Sequence, residues 1–225
     1  MLYDLTGLFL PRRCAGCDQA LQAFERAICT NCVDDLPRFR GHHDPENRVE
    51  LVFRGRVRLH AASAFLQFTK DGMVQHMLHR LKYRGELLVG VELGRRMAEE
   101  VRGCPRFSDV DTLLAVPLHK DRLRQRGYNQ AQVLVDGMLQ AWPLRNAGHD
   151  MLRVVHTTTQ TRKGRISRWA NVRQAFQLAD PAALQGAHVL LVDDVVTTGA
   201  TLESCANALA AVPGLRISVL ACACA

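Results

Sequence analysis

Apolar residues recur along this chain in two rhythms. Short unbroken or alternating runs at Val57 to Phe68, Thr112 to Val116, Leu152 to Val155, Val189 to Val192 and Ile217 to Cys222 read as strands, the fourth as one buried on both faces. Between them, apolar positions at helical spacing predict helices. Met73, Val74, Met77, Leu78 and Leu81 mark one, with Asp71 as its expected cap and Gly85 after Lys82-Tyr83-Arg84 as its expected stop. Others are expected over Glu86 to Val101, Asn129 to Gln140 and Leu202 to Ala211. Pro117 ends the second strand and a basic loop follows it, while the stretch up to Phe176 is a polar and basic excursion. Strands alternating with helices predict an α/β domain whose sheet is parallel and flanked by helices.

At 225 residues there is room for one such domain and a small appendage. The expected boundaries are a cysteine module over 1–40, a polar linker over 41–56 with exposed His42 and His43, and the α/β domain over 57–225. No apolar run approaches the roughly 18 residues of a membrane span, so no membrane insertion is expected. Met1 to Pro11 is apolar but short and lacks a basic leading region; it does not read as a secretory signal, and the expected location is the cytoplasm.

The formal charge of +7 is unevenly spread. Met151 to Ala179 holds no acid but includes Arg153, Arg162, Lys163, Arg165, Arg168 and Arg173, and Lys120, Arg122, Arg124 and Arg126 form a second cluster. Both favour polyanions, from diphosphate to nucleic acid; a solvated basic face is the alternative at a sequence pI near 9.2. The aromatic fraction of 6% argues against a base-stacking platform for single strands, though salt-sensitive, sequence-blind binding stays open.

Cys14, Cys17, Cys29 and Cys32 form two C-x2-C knuckles, the spacing of a tetrahedral zinc site. Four thiolates leave no open position, so the expected role is structural, and so small a module would draw much of its stability from the metal. Disulfides are the alternative, disfavoured in a reducing compartment. Cys104, Cys205, Cys222 and Cys224 lack such spacing and read as small core residues.

The densest chemistry lies where Val189-Leu190-Leu191-Val192 runs into Asp193-Asp194-Val195-Val196-Thr197-Thr198-Gly199-Ala200-Thr201. A buried strand ends in two carboxylates, then a hydroxyl-rich turn opens a helix. Turn N–H groups and the helix start suit a phosphate, Gly199 permits close approach, and the carboxylates can accept hydrogen bonds from a ribose diol. A strand ending in Val116-Pro117-Leu118-His119-Lys120 should place further N–H groups beside this loop. Arg122, Arg124 and Arg126 could close on a diphosphate, but their alternation cannot put all three on one helical face, so at least one should face solvent.

The string from Val189 to Thr201 resembles the phosphoribosyl-diphosphate (PRPP) loop of type I phosphoribosyltransferases, and Val116 to Lys120 with Arg126 resembles their diphosphate loop. The cysteine knuckles, Leu81-Lys82-Tyr83-Arg84-Gly85, Val116-Pro117-Leu118-His119, Arg126-Gly127-Tyr128-Asn129-Gln130, Thr157 to Gln160, Arg168-x-x-Asn171-Val172, Ala175-Phe176 and the PRPP loop occur in that order. Together they resemble the ComF/GntX family of bacterial phosphoribosyltransferase-like proteins. The resemblance implies a phosphoribosyltransferase-like fold with a zinc-ribbon-like module, structural zinc, and magnesium bound with PRPP. It implies Asp193, Asp194, Thr197, Thr198, Gly199, Ala200 and Thr201 at the sugar phosphate. Lys82, Arg84, Thr157, Gln160, Arg168 and Asn171 are implied hood or anion contacts, with Arg153 to Phe176 as the hood. It links the chain to competence, imported single-stranded DNA and the proteins of DNA uptake or recombination. Thr197 stands where relatives acting on 6-oxopurines carry aspartate, which speaks against that specificity, and the sequence identifies no catalytic residue. A phosphoribosyltransferase is one reading; a non-catalytic PRPP or nucleotide sensor, or a DNA-processing adaptor, is the other.

Overall fold

The computed structural model describes residues 12–154 and 175–225. In chain order the elements are helix α1 (Thr30–Asp34), helix α2 (Arg48–Phe53), strand β1 (Ala61–Gln67), helix α3 (Met73–Tyr83), helix α4 (Leu87–Val101) and strand β2 (Thr112–Ala115). Helix α5 (Lys120–Arg126), helix α6 (Gln130–Ala141), strand β3 (Arg145–Asn146), strand β4 (Met151–Arg153) and strand β5 (Phe176–Leu178) follow. Strand β6 (His188–Val196), helix α7 (Ala200–Leu209) and strand β7 (Arg216–Cys224) complete the series.

Five strands form one parallel sheet in the order β1-β7-β6-β2-β3. Its middle is apolar on both faces, with Val189 to Val192 and Val219 to Ala223 without accessible surface, as expected of strands covered by helices on either side. The chain leaves β6 toward β7 and leaves β2 toward β3. The crossovers therefore diverge between β2 and β6, and a crevice opens at the carboxyl ends of that pair, the usual ligand position in open α/β sheets. Ala115, the last residue of β2, pairs with Val192, and the Val116 N–H donates to the Val192 carbonyl at 2.9 Å, so β6 runs on past β2 through Asp193 and Asp194 to Val196.

Helices α4 and α6 cross closely because each offers a glycine there. A Cβ on Gly94 would lie 2.0 Å from the Leu134 carbonyl oxygen, and one on Gly137 would lie 2.1 Å from that of Val91. This contact fixes the start of α6, which points into the crevice.

Several local expectations are corrected. Asp71 does not cap α3: its φ is +58°, and the cap position is Gly72, which offers no side-chain acceptor. The loop after Pro117 contains α5, a helix without a buried residue and therefore without an apolar period to read, capped by the His119 ring. Residues 41–56 contain α2, whose cap Asn47 is buried and also donates to the Ala62 carbonyl at 2.9 Å. His42 is mostly covered and lies 3.7 Å from Glu100. Strand β4 pairs with β5 as an antiparallel ribbon apart from the main sheet. Cys104, Cys205, Cys222 and Cys224 are all buried, and all eight cysteines are free. No described helix is long and apolar enough to cross a membrane.

Candidate functional site

A cavity of about 260 Å³ sits in the crevice between β2 and β6. Its floor is Asp193, Asp194 and Val195 from β6, facing Val116, Pro117 and Leu118 after β2. Lys82 and Tyr83 close one side, Arg122 and Arg126 another, and Asn129, Gln130 and Ala131 bring in the start of α6. Arg153 and Thr201 complete the wall. Four cations thus surround two carboxylates, leaving a net positive basin suited to a ligand carrying both hydroxyls and phosphate.

Sequence-predicted residues divide across this geometry. Asp193, Asp194, Thr201, Val116, Pro117, Leu118, Arg126 and Lys82 line the cavity together. Arg122 joins Arg126 one helical turn away, while Arg124 is exposed, as their alternation requires. Thr197, Thr198, Gly199 and Ala200 form the turn beyond the cavity wall; Lys120 and Arg84 are exposed, and His119 is engaged as the cap of α5. Thr157, Gln160, Arg168 and Asn171 lie outside the described residues, and of the expected hood only Arg153, Val154, Ala175 and Phe176 fall within them.

Lys82 Nζ lies 2.7 Å from Asp194 Oδ2, with both side chains mostly covered. The Asp194 N–H donates to Asp193 Oδ1 at 2.9 Å. Burial first, and the neighbouring Asp194 second, push the Asp193 carboxyl up to about 7, against that N–H and the attraction of Lys82 and Arg153. Arg153 is the counterpart: burial lowers it, and its guanidinium stacks 5.3 Å from the Phe176 ring centre. The resemblance puts Arg153 at the start of the hood; in the fold it sits at the end of β4 on the cavity wall.

Two braces hold the site from behind. The first is the segment read as a linker. Gly199 adopts φ +72° and packs so closely that a Cβ would meet Val52 Cγ1 at 2.7 Å and Phe53 Cε1 at 2.8 Å. Arg56 donates to the Thr198 carbonyl at 2.7 Å and pairs with Glu203 of α7. The second is the last turn of α3. Arg80 donates to the Cys14 carbonyl at 2.8 Å and pairs with Asp18 at 3.0 Å and Glu86 at 2.9 Å. The Leu81 carbonyl accepts from the Tyr128 hydroxyl, Lys82 reaches Asp194, and Arg126 lies 5.6 Å from the Tyr83 ring centre. Consecutive residues therefore join the cysteine module, the start of α6 and the acidic strand end.

The sulfurs of Cys14, Cys17, Cys29 and Cys32 lie within 4.8 Å of one another, and Cys17 and Cys29 are 3.7 Å apart. Tetrahedral zinc with thiolate bonds near 2.3 Å puts sulfurs about 3.8 Å apart, so the donor set fits a structural zinc ion. The Gly16 and Cys29 N–H groups point at Cys14 Sγ at 3.4 and 3.2 Å. Burial alone would raise that thiol; backbone N–H groups from Cys29, Cys17 and Gly16 outweigh it and bring Cys14 down to about 7.

At the opposite end of the sheet, His188 bonds Asp109 and Ser218, each at 2.9 Å, and His60 stacks edge-on against it. The arrangement imitates a hydrolytic triad, but Ser218 has no accessible surface and Asp109 is already paired with Arg216, so it serves the sheet and not a substrate.

No family model matches the chain. It is 27% identical over 214 residues to Competence protein F of Haemophilus influenzae, covering 89% of this chain and 92% of that protein. It is 27% identical over 202 residues to Competence protein ComFC of Bacillus subtilis, covering 82% and 78%. The DNA utilization protein YhgH of Escherichia coli K12 is 31% identical over 136 residues, 59% of either chain. Among solved structures, glutamine PRPP amidotransferase from Bacillus subtilis overlaps 58% of this chain and 25% of its own at TM-score 0.40 and 14% identity. A hypoxanthine phosphoribosyltransferase from Staphylococcus aureus overlaps 60% of each at TM-score 0.32 and 13% identity.

Proposed function

The chain belongs to the ComF family, and from that premise we propose that it binds PRPP in the crevice between β2 and β6 as part of the handling of DNA. The observation that carries this reading is the acidic pair Asp193-Asp194 at the end of the central strand, facing Lys82, Arg122, Arg126 and Arg153 across one cavity. The carboxylates accept the ribose hydroxyls, with Lys82 exchanging its partner for a phosphate oxygen. The turn from Thr197 to Thr201 holds the 5-phosphate: Gly199 is the left-handed residue at the start of α7, where helix N–H groups lack internal partners. The arginines neutralise the diphosphate in bidentate fashion. Magnesium, bound with PRPP, would find its oxygen ligands on the substrate and water, with Asp193 and Asp194 as the nearest carboxylates, and would neutralise diphosphate charge.

Phosphoribosyl transfer asks for positioning and electrostatics more than for a strong base, and this site offers both. The proposed partners beyond PRPP are single-stranded DNA and the proteins of DNA uptake or recombination, in keeping with the relatives named for competence and DNA utilization. Thermal unfolding tests the reading. PRPP with magnesium at about 100-fold over its Kd should add about 2.7 kcal/mol, raising Tm by roughly 5–11 °C. No rise at saturating PRPP would refute it.

A further inference from the structure

Helix α6 meets the cavity with its first turn, and that turn holds a donor with nothing to donate to. Gln130 is 3% exposed. Its Oε1 accepts from Arg126, which fixes the amide's orientation, because a guanidinium can only donate. Its Nε2 therefore points away from Arg126, and it is buried without a partner. A buried N–H left unsatisfied costs on the order of 1–3 kcal/mol, so the fold carries a penalty at the wall of its own cavity.

The surroundings say what would relieve it. Asn129 caps α6, accepting from the Ala131 N–H at 3.1 Å and donating to the Val116 carbonyl at 2.9 Å, so the helix start is locked to the end of β2. The N-terminus of this twelve-residue helix favours negative charge, and Arg122, Arg126 and Arg153 share the cavity with it. A neutral carbonyl would satisfy the amide but would not answer the positive field of the helix start and the guanidiniums. An oxyanion satisfies both.

We propose that the Gln130 side-chain amide and the start of α6 form an oxyanion subsite for a diphosphate group, with Arg126, which holds the amide's orientation, beside it on the same cavity wall. The physiological source of the diphosphate rests on the PRPP reading; the subsite itself does not, because inorganic diphosphate presents the same oxygens.

The test is calorimetric titration of inorganic diphosphate and of PRPP, each with magnesium, into the full-length wild type, Gln130→Met and Asp194→Asn. Gln130→Met keeps the shape and removes the donor. It should weaken diphosphate binding roughly tenfold or more, while Asp194→Asn loses PRPP and retains diphosphate. If wild type binds diphosphate in a Gln130-dependent way but does not bind PRPP, the functional reading falls and the subsite stands. If Gln130→Met leaves both affinities unchanged, the subsite falls and the functional reading stands. An effect on a phosphodiester oligonucleotide with none on diphosphate would also overturn it. Should Gln130→Met fail to fold, the side-chain amide resonance of Gln130 in the wild type decides: it shifts on diphosphate titration, or the proposal is wrong.

Discussion

Gly199→Ala separates the site's architecture from its chemistry. The residue has no side chain to offer a ligand, yet it carries two constraints. Its φ of +72° costs an alanine about 1 kcal/mol. The added Cβ would also sit 2.7 Å from Val52 Cγ1, 2.8 Å from Phe53 Cε1 and 3.0 Å from Phe53 Cζ. Val52 is β-branched and Phe53 is 2% exposed, so neither can yield by simple rotation, and overpacking of this kind costs about 1–3 kcal/mol. The sum is about 3 kcal/mol, or a Tm lower by roughly 6–12 °C for a chain of this size. Gly85→Ala is the matched control: φ is +68°, but nothing lies within 4 Å of the added carbon. It should lose only about 1 kcal/mol, roughly 2–4 °C. Thermal unfolding by circular dichroism gives both values, and PRPP titration should show weakened binding only in Gly199→Ala. Equal losses in the two variants would refute the claim that α2 braces the turn.

Chelation or Cys29→Ser should unfold the cysteine module ahead of the sheet. Because Arg80 ties Cys14 to the helix end bearing Lys82, it should also raise hydrogen exchange at residues 81–84; a single unaltered transition would argue against a structural metal. Asp193 should make stability depend on pH. A carboxyl near 7 in the fold and 3.8 outside it contributes stability that is full below 3.8 and lost as pH rises through about 7. Asp193→Asn should therefore stabilise the fold more at pH 8 than at pH 4, by at most roughly 4 kcal/mol, read as a larger rise in Tm at pH 8, and an equal effect at both would contradict the burial argument.

What was legible in the sequence was what neighbouring residues decide together. The apolar run into Asp193-Asp194, the cysteine knuckles and the helical spacing from Met73 to Leu81 are local signals; the helix lies where its spacing puts it, while β6 runs two residues past the carboxylates, to Val196, because it stays paired with β7. Short elements left no period: α5 buries nothing, and α2, with only Val49 and Phe53 buried, spans six residues. The links that make a site of these parts join distant positions. Lys82 to Asp194, Arg56 to Thr198, Arg80 to Cys14 and the orphan amide of Gln130 depend on how the sheet orders its strands, and no spacing along the chain encodes them.

In the proposed function Asp194 receives the sugar of PRPP. Calorimetry of zinc-loaded wild type and Asp194→Asn, titrated with PRPP in the presence and absence of magnesium, measures that contact. Saturable, magnesium-dependent binding is expected in the wild type, weakened at least tenfold in Asp194→Asn, since a charged acceptor to the ribose hydroxyls is lost. Binding of equal strength in both proteins would contradict it.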